Sequence, residues 1–111
     1  MKLKPILTAG VIALITGHAQ AGGWQALTKP VNLIVEGEQD GSRNYLVVNS
    51  ANNPDGCTGS VPYLRIYGNT PKGRYLMATA LSAIASGMSI GPLLQGCDDW
   101  GRPILGGMWT N

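Results

Sequence analysis

Residues 57–97 read CTGSVPYLRIYGNTPKGRYLMATALSAIASGMSIGPLLQGC and hold both cysteines of the 111-residue chain, one at each end. From Tyr75 to Cys97 no residue is charged. Such a run is a membrane segment, a buried helix, or a helix packed against another subunit. Its end signals decide. Thr70 can cap a helix, Pro71 suits the first helical position, and Gly87 suits the left-handed residue beyond the last turn. Leu76, Met77, Ala80, Leu81 and Ile84 form one apolar stripe at helical spacing. The spacing predicts an amphipathic helix of about sixteen residues, too short for a membrane span and stopped by Gly87 and the Gly91-Pro92 pair.

The opposite face of that helix carries Thr79, Ser82, Ala83 and Ser86, which are small and uncharged. A solvent-facing helix normally carries Lys and Glu there. Two readings stand: an exposed Ala/Ser-rich face, or a face covered by a neighbouring subunit or element. The second makes these four residues an oligomer face.

Strand patterns lie on both sides. KPVNLIVEGE (29–38) alternates with period two, and Pro30 belongs at its start or on an edge. Asp40-Gly41 marks a turn, and YLVVNS (45–50) completes a hairpin. ANNPDGCTGS (51–60) is a loop by composition. In VPYLRIYG (61–68), Tyr63, Arg65 and Tyr67 share a wetter face, while Leu64 and Ile66 point to a buried one. MSIGPLLQGC (88–97) is a fourth strand, and Pro92 makes it an edge or a bulged strand. RPILGGMWTN (102–111) is the last. Residues 22–28 read as a loose lead-in with Trp24 as an anchor.

The N-terminus, MKLKPILTAGVIALITGHAQAGG, has basic Lys2 and Lys4, an apolar run from Ile6 to Ile15, and Ala19-Gln20-Ala21 before Gly22. Charge, core and small-x-small site in this order are those of a signal peptide; a buried N-terminal helix is the other reading. Residues 1–21 are therefore expected to be removed, leaving residues 22–111 as one exported domain, periplasmic or secreted. Lys2 and Lys4 leave with the leader, so Lys plus Arg falls from 8 to 6 against 6 Asp plus Glu. A neutral mature chain lacks the cationic surplus for tracking nucleic-acid phosphates. His18, the sole histidine, leaves too. Serine–histidine and cysteine–histidine nucleophile systems are thereby excluded. The adjacent pair Asp98-Asp99 makes a poor acid–base couple, because neighbours on an extended chain point apart. No catalytic residue, metal set or cofactor motif stands out, and no enzyme activity is expected. Cys57 and Cys97, in an exported small domain, read as one disulfide.

The order strand, strand, strand, helix, strand, strand matches a mainly β fold with one α-helix: a small five-stranded OB-like Greek-key barrel. The segment from Cys57 through the "TP-x-G" helix start, the "A-x-A-S-G" helix end and the strand ending "GC", with RPILGGMW after it, resembles small secreted bacterial proteins. These are similar in layout to the B subunits of pertussis- and subtilase-type toxins. That resemblance spans about half the chain and implies a ring-forming, glycan-binding subunit without catalytic activity.

The residues themselves point to a binding module for a glycan or a protein partner. Trp100 beside Asp98 and Asp99, with Tyr63 and Tyr67 on the third strand, is the candidate surface. A sugar ring can stack on an indole while carboxylates accept its hydroxyls. The plainer alternative makes Trp100 a barrel plug and the two aspartates turn residues.

Overall fold

The computed structural model describes residues 22–111. The expected leader, with His18, lies outside the described residues. The order is β1 (Gly23–Trp24), β2 (Pro30–Val35), β3 (Asn44–Val48), β4 (Tyr63–Ile66), α1 (Pro71–Ser86), β5 (Ile90–Cys97) and β6 (Pro103–Thr110). The described residues are mostly β with one helix, as the patterns predict. Among the described residues no helix is long and apolar enough to cross a membrane.

The strands form one six-stranded sheet in the order β1-β5-β6-β4-β3-β2. Six strands take part where five are expected. The sixth strand comes from the lead-in: Gly23 pairs with Leu94 and Trp24 with Leu93. That segment was read as loose because two residues are too few to show an alternation. A single antiparallel bridge follows, in which Thr28 and Ile90 exchange backbone hydrogen bonds of 2.9 and 2.8 Å.

β2 and β3 form the expected hairpin, from Pro30 opposite Val48 to Val35 opposite Asn44. Asp40 Oδ1 accepts from the Ser42 N–H at 3.0 Å within its turn. β3 and β4 are antiparallel, whereas β4 and β6 run parallel, with Arg65 opposite Ile104. β5 is flanked by β1 and β6 and so is not an edge. Its ladder with β6 slips between Leu93 and Leu94, directly after Pro92, which is the bulge that a strand proline invites.

α1 begins and ends where its signals lie. Thr70 Oγ1 accepts from the Gly73 N–H at 3.0 Å. Gly87 is left-handed, with φ 68°. Lys29 Nζ donates to the Gly87 carbonyl, placing a cation where the helix dipole is negative. The buried face runs Gly73, Leu76, Ala80, Ala83. It packs on Leu46, Val48, Leu64, Ile66, Ile90, Leu94 and Leu105 from four strands. Ala83 is 1% exposed and Leu81 55%, which reverses the expected roles of these two residues. The buried row advances by three or four residues, so Leu81, one step past Ala80, turns about 100° away from it.

Cys57 and Cys97 are bonded, with Cα atoms 5.6 Å apart. The bond ties the loop before β4 to the end of β5.

Candidate functional site

The side of β3 and β4 away from α1 carries Tyr45 opposite Arg65 and Val47 opposite Tyr63. Arg43 enters this surface from the β2–β3 loop, and residues 98–102 enter from the β5–β6 turn. Sequence alternation places Tyr63, Arg65 and Tyr67 together here, as expected. The face is not wet throughout, because Arg65 is buried while the two tyrosines are half-buried.

Asp98 organises the turn. Its Oδ1 accepts from the Trp100 N–H at 3.0 Å and the Arg102 N–H at 2.8 Å. Its Oδ2 accepts from the Tyr45 hydroxyl at 2.7 Å and from Arg65 Nη1 at 3.1 Å. Arg43 Nη1 stands 3.6 Å from the same oxygen. Burial opposes ionisation of this carboxyl, but the four donors outweigh it and hold its pKa below the ordinary value. Asp98 is therefore an internal anchor. It was a candidate ligand acceptor in the sequence, but its side chain is wholly buried.

Asp99 takes the outward position. Its carboxylate accepts from Arg43 Nη2 at 2.7 Å and from Arg65 Nη1 at 3.2 Å. The Arg43 bond lowers its pKa and outweighs the opposing effect of burial. Arg43 also donates Nε to Glu38 Oε2 at 2.7 Å and Nη1 to the Tyr45 hydroxyl at 2.8 Å. Arg65 donates Nε and Nη2 to the Ser42 carbonyl at 3.2 and 3.1 Å. The two adjacent aspartates thus converge on the Arg65 guanidinium, one from inside and one from the surface.

The arginines also lie on aromatic faces. Arg43 sits 3.8 Å above the Trp100 ring and Arg65 4.1 Å above Tyr67. Arg102 lies 4.5 Å from Tyr45 and 4.6 Å from Tyr63. Trp100 stacks on Tyr45 with centroids 6.2 Å apart. Trp100 is nevertheless 49% exposed. Its indole is a half-open face and not a buried plug, on a turn that the Asp98 carboxylate holds.

Of the expected oligomer face, Ser82 and Ser86 are exposed and Thr79 is half-buried, while Ala83 belongs to the core. The exposed apolar residues of α1 are instead Tyr75 and Leu81.

Sequence reasoning missed a second aromatic surface. Trp24 and Trp109 are 58% and 46% exposed. The Trp109 indole occupies the space a side chain at residue 91 would need, so Gly91 is its floor, and Trp24 reaches over Gly107 beside Leu93. The Gly106-Gly107 pair inside the last strand was the available signal. A shallow concavity lined by Gln25, Leu27, Ser50 and Asn52 shares no residue with either surface. Among the described residues no three His, Cys, Asp or Glu side chains gather as a metal site would require.

Comparison with protein-family models, with curated proteins and with solved structures finds no match.

Proposed function

We propose that the protein is an exported, non-catalytic binding module of OB-like layout that takes a glycan at the surface around Trp100. The carrying observation is the half-exposed Trp100 indole, held over Arg43 by a turn that Asp98 locks. A saccharide ring stacks on the open part of the indole, while Asp99 accepts and Arg102 donates hydrogen bonds to its hydroxyls.

The layout supports this placement. The run β2-β3-β4-β6-β5, the parallel β4/β6 pair, the helix between β4 and β5, and the Thr28–Ile90 bridge follow the OB arrangement. OB folds bind oligosaccharides and oligonucleotides on their second and third strands and on the loops joining strands one to two and four to five. In this chain those regions are β3, β4, the β2–β3 loop and the 98–102 turn, the parts that build the Trp100 surface. The resemblance to toxin B subunits points the same way. Nucleic acid is the weaker choice, because Arg43 and Arg65 are already neutralised by Glu38, Asp98 and Asp99. Export is supported by the leader pattern and by a disulfide that persists in oxidising compartments.

The test is capture of the mature protein on an array of neutral and acidic glycans, beside Trp100→Ala. Loss of capture with Tm within a few degrees of the parent supports the reading. Unchanged capture by Trp100→Ala, or capture of no glycan by the parent, overturns it.

A second reading, an assembly subunit, is favoured by Tyr75 and Leu81, large apolar residues that α1 leaves exposed. If copies associate there, Leu81→Glu gives monomers by sedimentation while the fold persists. A parent that is already monomeric at micromolar concentration removes this reading.

A further inference from the structure

Asp55 lies in the loop between β3 and β4, two residues before the disulfide. Among the described residues its carboxylate receives two backbone donors and no cation. Gly22 N–H donates to Oδ1 at 2.8 Å, and Gly96 N–H donates to Oδ2 at 2.8 Å. Gly22 is also the residue that follows Ala19-Gln20-Ala21, the expected cleavage site. Only glycine fits there: φ is +66°, and a Cβ would stand 2.5 Å from the Leu94 carbonyl oxygen.

We propose that cleavage after Ala21 turns the Gly22 nitrogen into an α-ammonium group that Asp55 holds as its counter-ion, so that removal of the leader locks β1 onto β5. This rests on the export reading. Hydrolysis of the Ala21–Gly22 peptide bond adds one water: Ala21 leaves with a carboxylate, and Gly22 keeps the nitrogen and gains protons. The donor already points at Oδ1, so the new charge arrives at a formed hydrogen bond. Charge-assisted bonds of this kind are roughly twice as strong as neutral ones. The Gly23 and Trp24 pairings with β5 follow directly, and beside them the Cys57–Cys97 bond holds the Asp55 loop to the same strand. The small first residue thus serves the folded protein as well as the cleavage site.

The full chain is expressed for export, and intact mass and N-terminal sequencing define the new end. Tm is then measured for the protein with its α-amine free and after selective N-acetylation, in the parent and in Asp55→Asn. Acetylation keeps one N–H donor, removes the charge and puts an acyl group where the Ala21 carbonyl stood. The expected result is a Tm roughly 2–8 °C lower on acetylation of the parent, and no such drop in Asp55→Asn. Equal sensitivity in both proteins, or none in the parent, overturns the proposal while leaving the export reading intact. A cleaved end away from Gly22 overturns this proposal alone, whereas a mass that retains residues 1–21 defeats the export reading and this proposal with it.

Discussion

Asp98 and Arg65 are 33 residues apart in the chain and meet as a buried carboxylate–guanidinium pair at 3.1 Å. This pair joins β4 to the turn that presents Trp100. The geometry of the Trp100 surface and part of the domain's stability therefore depend on the same carboxylate.

Asp98→Ala removes the acceptor for the Tyr45 hydroxyl, for Arg65 and for two turn amides. Breaking a buried pair by deleting one partner costs about 3–5 kcal/mol. Urea unfolding is expected to show a loss of that size. Asp98→Asn, which keeps an acceptor for the turn amides, loses less. Equal losses in the two variants would show that the charge contributes little.

The pH dependence has a definite sign on each flank. Asp98 and Asp99 have folded pKa values below the ordinary value. Their contribution is present above the unfolded carboxylate pKa of about 3.9 and fades as pH falls through the folded values. Tyr45 is shifted the other way. Burial raises its pKa and the bond to Asp98 adds to this, while Arg43 opposes it. Its contribution is present below the unfolded tyrosine pKa of about 10 and is lost as pH rises through the folded value. Thermal melts across pH should decline at both ends. Asp98→Asn flattens the acid limb and Tyr45→Phe the alkaline one.

Cys97→Ala opens the bond between the loop before β4 and the end of β5. Removing a native disulfide from a small exported domain costs about 2–5 kcal/mol. Reduction of the parent protein should lower its denaturant midpoint by a similar amount. An unchanged midpoint would show that packing alone holds this corner.

Ala83→Glu puts a carboxylate among Leu76, Ala80 and the strand residues of the core. An uncompensated buried charge costs roughly 3–5 kcal/mol, so the variant should unfold rather than dissociate. Ser82→Glu, one residue earlier and exposed, should melt within a degree or two of the parent. Circular dichroism melts of the two variants separate these outcomes.

What could be read in the chain was local. Thr70, Pro71 and Gly87 set the limits of α1 through groups a few residues apart, and the structure places its ends at those residues. The hairpin turn at Asp40-Gly41 and the inward alternation of Leu64 and Ile66 were legible for the same reason. Ala83 was misplaced because an alanine carries almost no hydropathy signal, whereas the larger Leu81 drew the apolar stripe toward itself. β1 owes its pairing to Leu93 and Leu94, about seventy residues away, and two residues carry no period of their own. Asp98 reads from the sequence as a ligand acceptor or a turn residue. Its burial is set by Tyr45 and Arg65, 53 and 33 residues distant, and no local pattern announces partners that far off. Trp100 stood out as a candidate, but the Arg43 guanidinium beneath it did not.

The parallel pairing of β4 with β6 bears on the order in which the chain can fold. The β2/β3 and β5/β6 hairpins each close a short turn, and such closures take microseconds. The β4/β6 contact requires the chain to travel through α1 and β5 and return, and the entropy of closing that long loop is lost before any contact rewards it. Cys57 and Cys97 close nearly the same loop covalently. An oxidised chain starts refolding with that step complete, so it should refold faster than the reduced chain. The slow event left to the reduced chain is pairing of β6 with β4, which joins the β5/β6 hairpin to the β2-β3-β4 strands.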